Sequence, residues 1–125
     1  MARILVIDDQ PLIREIFREA LEDDGHHVMV AADGYEGVQS YHETRPDLVM
    51  VDLQMPGLDG FETIRQLRTV GDVPIIAMTG AAELIRGANL LEIALRLGAV
   101  RTFEKPLGLN DLVALVRDVL SHFGA

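Results

Sequence analysis

The sequence has no cysteine. That excludes a disulfide framework and thiolate chemistry, and it removes any need for an oxidising compartment. No apolar run approaches the roughly 18 residues of a membrane span. The opening MARILVIDDQ carries charge early and lacks the long apolar core and small-residue cleavage site of a secretory signal. Positive charge is scarce: 11 Lys and Arg face 20 Asp and Glu, for a formal net charge of −9. A nucleic-acid surface needs Lys and Arg to neutralise phosphates, so the balance argues against direct nucleic-acid binding. It suits a protein that binds cations or basic partners. There is no GxGxxG after the first apolar run and no GxxxxGK[ST] anywhere, which disfavours dinucleotide and P-loop chemistry. A flavin site would want a Ser/Thr/Gly-rich phosphate loop where this chain has Asp9-Gln10-Pro11-Leu12. His26, His27, His42 and His122 show no metal-ligand spacing. His26 and His27 are expected in a solvated turn. No repeat, low-complexity segment or Pro/Gly/Ser-rich linker divides the chain. A cytoplasmic protein of one domain, residues 1–125, with no membrane association, is expected.

What is present is alternation. At 125 residues and 49% hydrophobic, the chain is long and apolar enough to bury a real core. Short apolar runs recur as RILVID (3–8), HVMVA (27–31), DLVMVD (47–52), VPIIAM (73–78) and VRTFE (100–104). Continuous runs of this length suit parallel strands buried on both faces. Between them the spacing is helical. Ile13, Ile16, Phe17, Ala20 and Leu21 form one stripe, with Pro11 placed for a first turn and Gly25 for a C-terminal stop. Leu109, Leu112, Val113, Val116, Leu120 and Phe123 form another, widened by Leu115 and Val119. Residues 34–45, 60–70 and 83–97 complete five helices. In the helix over 83–97, Leu84, Ala88, Leu91, Ala94 and Leu95 make a core stripe, while Leu90, Ile93 and Leu97 face another way. That second stripe suggests either a neighbouring element of the chain lying over it or a partner or homodimer face. The order βαβαβαβαβα implies an open parallel sheet with helices on both faces.

Ligands of such sheets bind beyond the carboxyl ends of the strands. Strand 1 ends in Asp8-Asp9, strand 3 in Asp52, strand 4 in Met78-Thr79-Gly80 and strand 5 in Glu104-Lys105-Pro106. If strands 1, 3, 4 and 5 lie side by side, one edge gathers three carboxylates, a hydroxyl and an ammonium. Clustered carboxylates repel, and a hard divalent cation offsets that. Mg2+ held by Asp9 and Asp52, with Asp8 acting through water and the Gln54 backbone carbonyl adding an oxygen, leaves room for phosphate oxygens. Lys105 and Thr79 can hold the remaining phosphate charge. A carboxylate such as Asp52 can itself take a phosphoryl group to form an acyl phosphate.

The segments VIDD (6–9), LVMVDLQMPGLDG (48–60), IIAMTG (75–80) and FEKP (103–106) together resemble a receiver domain of the bacterial response-regulator family, of the chemotaxis-regulator-like kind, over nearly the whole chain. The resemblance implies a flavodoxin-like, doubly wound (βα)5 sandwich with strand order 2-1-3-4-5, an order for which this family supplies a standard example. It also implies that Asp52 is the phosphoacceptor, Asp8 and Asp9 the acidic pair serving Mg2+, Thr79 the switch hydroxyl and Lys105 the phosphate partner. A cis Lys105–Pro106 bond belongs to the same pattern. The implied partners are a sensor histidine kinase or histidine phosphotransfer protein, and an output protein at the helix 4–strand 5–helix 5 face. The chain departs from the pattern at Thr102, where the family usually has an aromatic residue. Phe103, pointing to the opposite face, is expected in the core. Without that aromatic, the signal is expected to travel through helix 4 and the loop before it. Two other functions compete. One is an interaction module without phosphorylation control. The other is a phosphatase with an aspartyl nucleophile, disfavoured because Gln54 stands where its second acid belongs.

Overall fold

A computed structural model describes residues 1–80 and 90–123. Five strands alternate with five helices: β1 (Arg3–Ile7), α1 (Pro11–Asp23), β2 (His27–Ala31), α2 (Gly34–Thr44), β3 (Leu48–Asp52), α3 (Gly60–Val70), β4 (Ile75–Gly80), α4 (Leu90–Leu97), β5 (Arg101–Lys105) and α5 (Leu109–Phe123). The strands form one parallel sheet of order β2-β1-β3-β4-β5. This is the flavodoxin-like order that the resemblance implies.

Period-two alternation splits the core into two layers. Ile4, Val6, Leu48, Met50, Ile76, Met78 and Phe103 point toward α1 and α5, where they meet Phe17, Leu21, Leu112, Val116 and Val119. Leu5, Ile7, Val49, Val51, Ile75 and Ala77 point the other way, toward Tyr41 of α2, Ile64 and Leu67 of α3 and Ala94 of α4. All five residues of β3 are buried, as its unbroken apolar run requires of a central strand.

Local chemistry sets the helix ends. α2 and α3 both start on Asp-Gly-aromatic-Glu. Asp33 accepts the Glu36 N–H at 2.8 Å, and Asp59 accepts the Glu62 N–H at 2.9 Å. α1 has Pro11 in its first turn and is followed by Gly25 at φ +91°. Gly60 is fixed by packing. A Cβ there would collide with the Asp52 carbonyl oxygen and lie 2.5 Å from the Leu53 Cα. Gly60→Ala should therefore push α3 off the end of β3 and cost about 1–3 kcal/mol. Urea denaturation checks this: a lower midpoint with unchanged slope is expected, and an unchanged midpoint would show that the close approach is not required.

Three sequence expectations need correction. Leu109 and Phe123, expected in the α5 stripe, are exposed at the two ends of that helix, and Leu112, Val116 and Val119 are its buried residues. Leu95 is exposed rather than part of the α4 core stripe, whereas Leu90, Leu91 and Leu97 pack against the core around Ala94. Ile93 and Leu95, the large apolar residues that α4 leaves exposed, sit on opposite flanks, so no second stripe exists among the described residues. The part of that expectation resting on Leu84 and Ala88 lies outside the described residues. His26 is also not solvated. Its side chain is 9% exposed, its Nδ1 accepts the Ala2 N–H at 3.2 Å, and its Nε2 lies 3.5 Å from Asp24. His27 is the exposed one, opposite Arg3 in the β1–β2 pairing. Among the described residues no helix is long and apolar enough to cross a membrane.

Candidate functional site

The carboxyl edge of the sheet collects the expected residues. Asp52 is the last residue of β3 and pairs in register with Met78, one position before Thr79. Thr79 and Gly80 pair in turn with Glu104 and Lys105. On the other side β1 ends at Ile7, and Asp8 follows with its N–H donating to the Ala31 carbonyl at 3.1 Å. Asp8, Asp52 and Thr79 are buried, and Asp9 is half-buried. A run of central strands thus mounts charged groups at the rim of an apolar wall.

Lys105 bridges the acids. Its Nζ donates to Asp8 Oδ2 at 3.2 Å and to Asp52 Oδ2 at 3.3 Å. The other carboxylate oxygens are held by main chain: Asp8 Oδ1 accepts the Gln10 N–H at 2.9 Å, and Asp52 Oδ1 accepts the Gln54 N–H at 3.3 Å. The Lys105–Pro106 bond is cis. The Thr79 hydroxyl makes a 3.5 Å contact with the Gly80 carbonyl.

Burial dominates the electrostatics. It is the main force raising the Asp52 carboxyl to about 7, with the neighbouring Asp8 charge adding to the rise. The Lys105 ammonium and the Gln54 N–H oppose it only in part. Burial likewise raises Asp8, against the Gln10 N–H and Lys105. Burial alone would lower Lys105, but the two carboxylates together outweigh it and raise its pKa. Asp52 is therefore poised at neutral pH, poorly solvated as an anion and easily neutralised.

One carboxylate oxygen from each of Asp8, Asp9 and Asp52 lies within 4.8 Å of the others. These are hard oxygen donors of the kind magnesium takes. With Lys105 between them, three ionised carboxylates leave a formal charge of minus two, which a divalent cation balances. The donor set thus fits the ion.

Two residues were missed in the sequence. Arg14 Nη1 donates to the Asp8 main-chain carbonyl at 2.8 Å. Arg68 of α3 donates to the Gly98 carbonyl at 2.8 Å from Nη2, tying the end of α3 to the turn between α4 and β5. Side-chain bonds to main-chain carbonyls leave no motif.

An acidic cluster with one ammonium, at the carboxyl edge of a 2-1-3-4-5 parallel sheet, defines a flavodoxin-like α/β domain whose donor set suits a hard cation. Residues 4–117 match the family described as response regulator receiver domain. The chain belongs to that family, the phosphorylation-dependent switches of two-component signalling. Response regulator MprA of Mycobacterium sp. (strain KMS) is 39% identical over 122 residues, covering 94% of this chain and 50% of the relative. Transcriptional regulatory protein CseB of Streptomyces coelicolor is 36% identical over 121 residues, covering 97% and 50%. The chain spans about half the length of the curated relatives it matches. Among solved structures, a response regulator receiver domain protein from Clostridium thermocellum superposes with a TM-score of 0.87 at 29% identity, covering 97% of this chain and 95% of the other. Chemotaxis protein CheY4 of Vibrio cholerae gives 0.85 at 28% identity, with coverage of 96% and 99%.

Proposed function

We propose that Asp52 accepts a phosphoryl group from a sensor histidine kinase or a histidine phosphotransfer protein, and that the acyl phosphate then changes partner binding. The observation that carries this reading is the Asp52 carboxylate, buried at the sheet edge, 3.3 Å from Lys105 and grouped with Asp8 and Asp9. A carboxylate oxygen of Asp52 attacks phosphorus and forms the P–O bond. The P–N bond to the donor imidazole breaks, and its electron pair returns to the ring, which takes a proton from solvent. Lys105 holds one phosphoryl oxygen as a point charge, and the Thr79 hydroxyl donates to another. Asp8, Asp9, Asp52 and the Gln54 carbonyl would hold Mg2+, which when bound neutralises charge building on the phosphoryl oxygens. The domain assists its own phosphoryl transfer and hydrolysis and is otherwise a regulator, not an enzyme acting on a separate substrate.

The read-out is a population shift between two conformations. Moving it from 1:99 to 99:1 needs about 5.5 kcal/mol of differential interaction. The reading face is α4, β5 and α5. Thr102 is half-buried in β5, while Phe103 on the opposite face packs 6.4 Å from the Phe17 ring. With no aromatic at position 102, α4 carries the signal together with the segment before it, which lies outside the described residues. Residues 1–125 act as one receiver unit in the cytoplasm, where its phosphodonor works.

The test exposes the protein to a small acyl phosphate with magnesium and measures its intact mass. One added phosphoryl group is expected, absent without the metal and labile to hydroxylamine. An unchanged mass with both small donor and kinase-derived phosphohistidine would favour an interaction module without phosphorylation control.

A further inference from the structure

Asp8 and Asp9 stand beyond the last rung of β1, ahead of a helix whose N-cap, Gln10, makes no side-chain cap. Two adjacent carboxylates must be aimed there, with a main-chain bond to a neighbouring strand from the Asp8 N–H to the Ala31 carbonyl of β2. Four hydrogen bonds hold Asp8: its N–H to the Ala31 carbonyl, its Oδ1 from the Gln10 N–H, its main-chain carbonyl from Arg14 Nη1 at 2.8 Å, and its Oδ2 from Lys105 Nζ at 3.2 Å. The first two use main-chain groups at positions 31 and 10, which nearly any residue supplies. The third depends on the side chain at position 14.

That carbonyl belongs to the planar peptide joining Asp8 to Asp9. Fixing its oxygen fixes the plane, and the plane sets the direction in which Asp9 leaves the chain. Arg14 is half-buried on α1, so the bond is partly shielded from water. Partners behind metal ligands commonly matter nearly as much as the ligands themselves. Arg14 also brings a cation to an acidic edge. Charge alone would repel a metal ion, so the two roles predict effects of opposite sign.

We propose that Arg14 is a positioning residue for the cation-binding pair Asp8 and Asp9, acting through the Asp8 main-chain carbonyl. The inference rests on the site being a magnesium-dependent phosphoacceptor, and its test separates the two. Wild type, Arg14→Ala and Arg14→Lys are compared in two ways. The first is the magnesium dependence of phosphoryl acceptance from a small acyl phosphate. The second is amide hydrogen exchange at Asp9 and Gln10 in EDTA. In Arg14→Ala the half-saturating magnesium concentration should rise about tenfold, while the rate at saturating magnesium stays within about twofold of wild type. Exchange at Asp9 and Gln10 should quicken. Arg14→Lys, which keeps a donor and the charge, should recover most of the affinity. A general loss of structure would instead lower the saturated rate and would not be rescued by lysine; that result overturns the positioning role. So does a half-saturating concentration in Arg14→Ala that is unchanged or lower. If wild type takes no phosphoryl group at any magnesium concentration, it is the underlying functional reading that fails.

Discussion

Asp52→Asn should abolish phosphoryl acceptance and, in the same molecule, make the metal-free protein more stable at pH 8. The loss follows because an amide is not a nucleophile for phosphorus at neutral pH. The gain follows from burial. The folded Asp52 carboxyl sits near 7, against 3.8 in the unfolded chain. Between those values the folded state binds the extra proton, so stability rises as pH falls. Above about 7 the folded protein carries the full cost of an ionised, poorly solvated group. Below about 4 that cost is gone, because both states are protonated there. A difference of this size sets a ceiling on the order of 4 kcal/mol. The value near 7 already contains the attraction of Lys105, so solvent screening alone reduces the gain, to about 1–2 kcal/mol. Urea denaturation in EDTA checks the sign. The advantage of Asp52→Asn should be largest at pH 8 and vanish near pH 4. Equal stability at pH 8 would mean that Asp52 is better solvated than its burial implies.

Lys105→Met is expected to have the opposite and larger effect. Lys105 is the cation between Asp8 and Asp52, and its Nζ contacts both. Removing one member of a buried ion pair leaves the other uncompensated, at about 3–5 kcal/mol. Here two buried carboxylates lose the same partner. The loss should be greatest at pH 8, where both acids are ionised, and smaller at pH 5, where Asp52 takes up a proton. The raised pKa of Lys105 means its stabilising charge is present throughout this range and is lost only as pH climbs past the ordinary lysine value. Lys105→Arg keeps the charge and should retain much of the stability. Phosphorylation of Lys105→Met should slow strongly even when magnesium is saturating, because no point charge remains to hold the transferred group. If Lys105→Met were as stable as wild type at pH 8, the bridge between the two acids would contribute little to the fold.

Much of this was legible in the chain. Five apolar runs at intervals too long for hairpins imply parallel strands, and parallel strands put their last residues on one edge. Asp8, Asp9, Asp52, Thr79 and Lys105 are legible as neighbours at one sheet edge because each lies at or just beyond the end of a strand. Phe103 was placed in the core by period-two alternation, and it packs there against Phe17. What periodicity does not carry is the choice between flanks of a short helix. Leu95 fits an apolar stripe, yet α4 turns Leu90, Leu91 and Leu97 to the core around Ala94 instead. His26 read as a turn residue because nothing local shows that the Ala2 N–H, from the distant chain start, reaches its ring. Arg14 escaped for a similar reason. Its partner is a main-chain carbonyl, which carries no residue type to recognise.

The most direct measurement is the position of the phosphoryl group. The protein is loaded from a small acyl phosphate with magnesium, reduced with borohydride to convert any aspartyl phosphate to homoserine, and mapped by peptide mass spectrometry. A single homoserine at position 52, absent when magnesium is withheld, is the predicted result. Modification at Asp8, Asp9 or any other residue, or at Asp52 without the metal, would contradict the account.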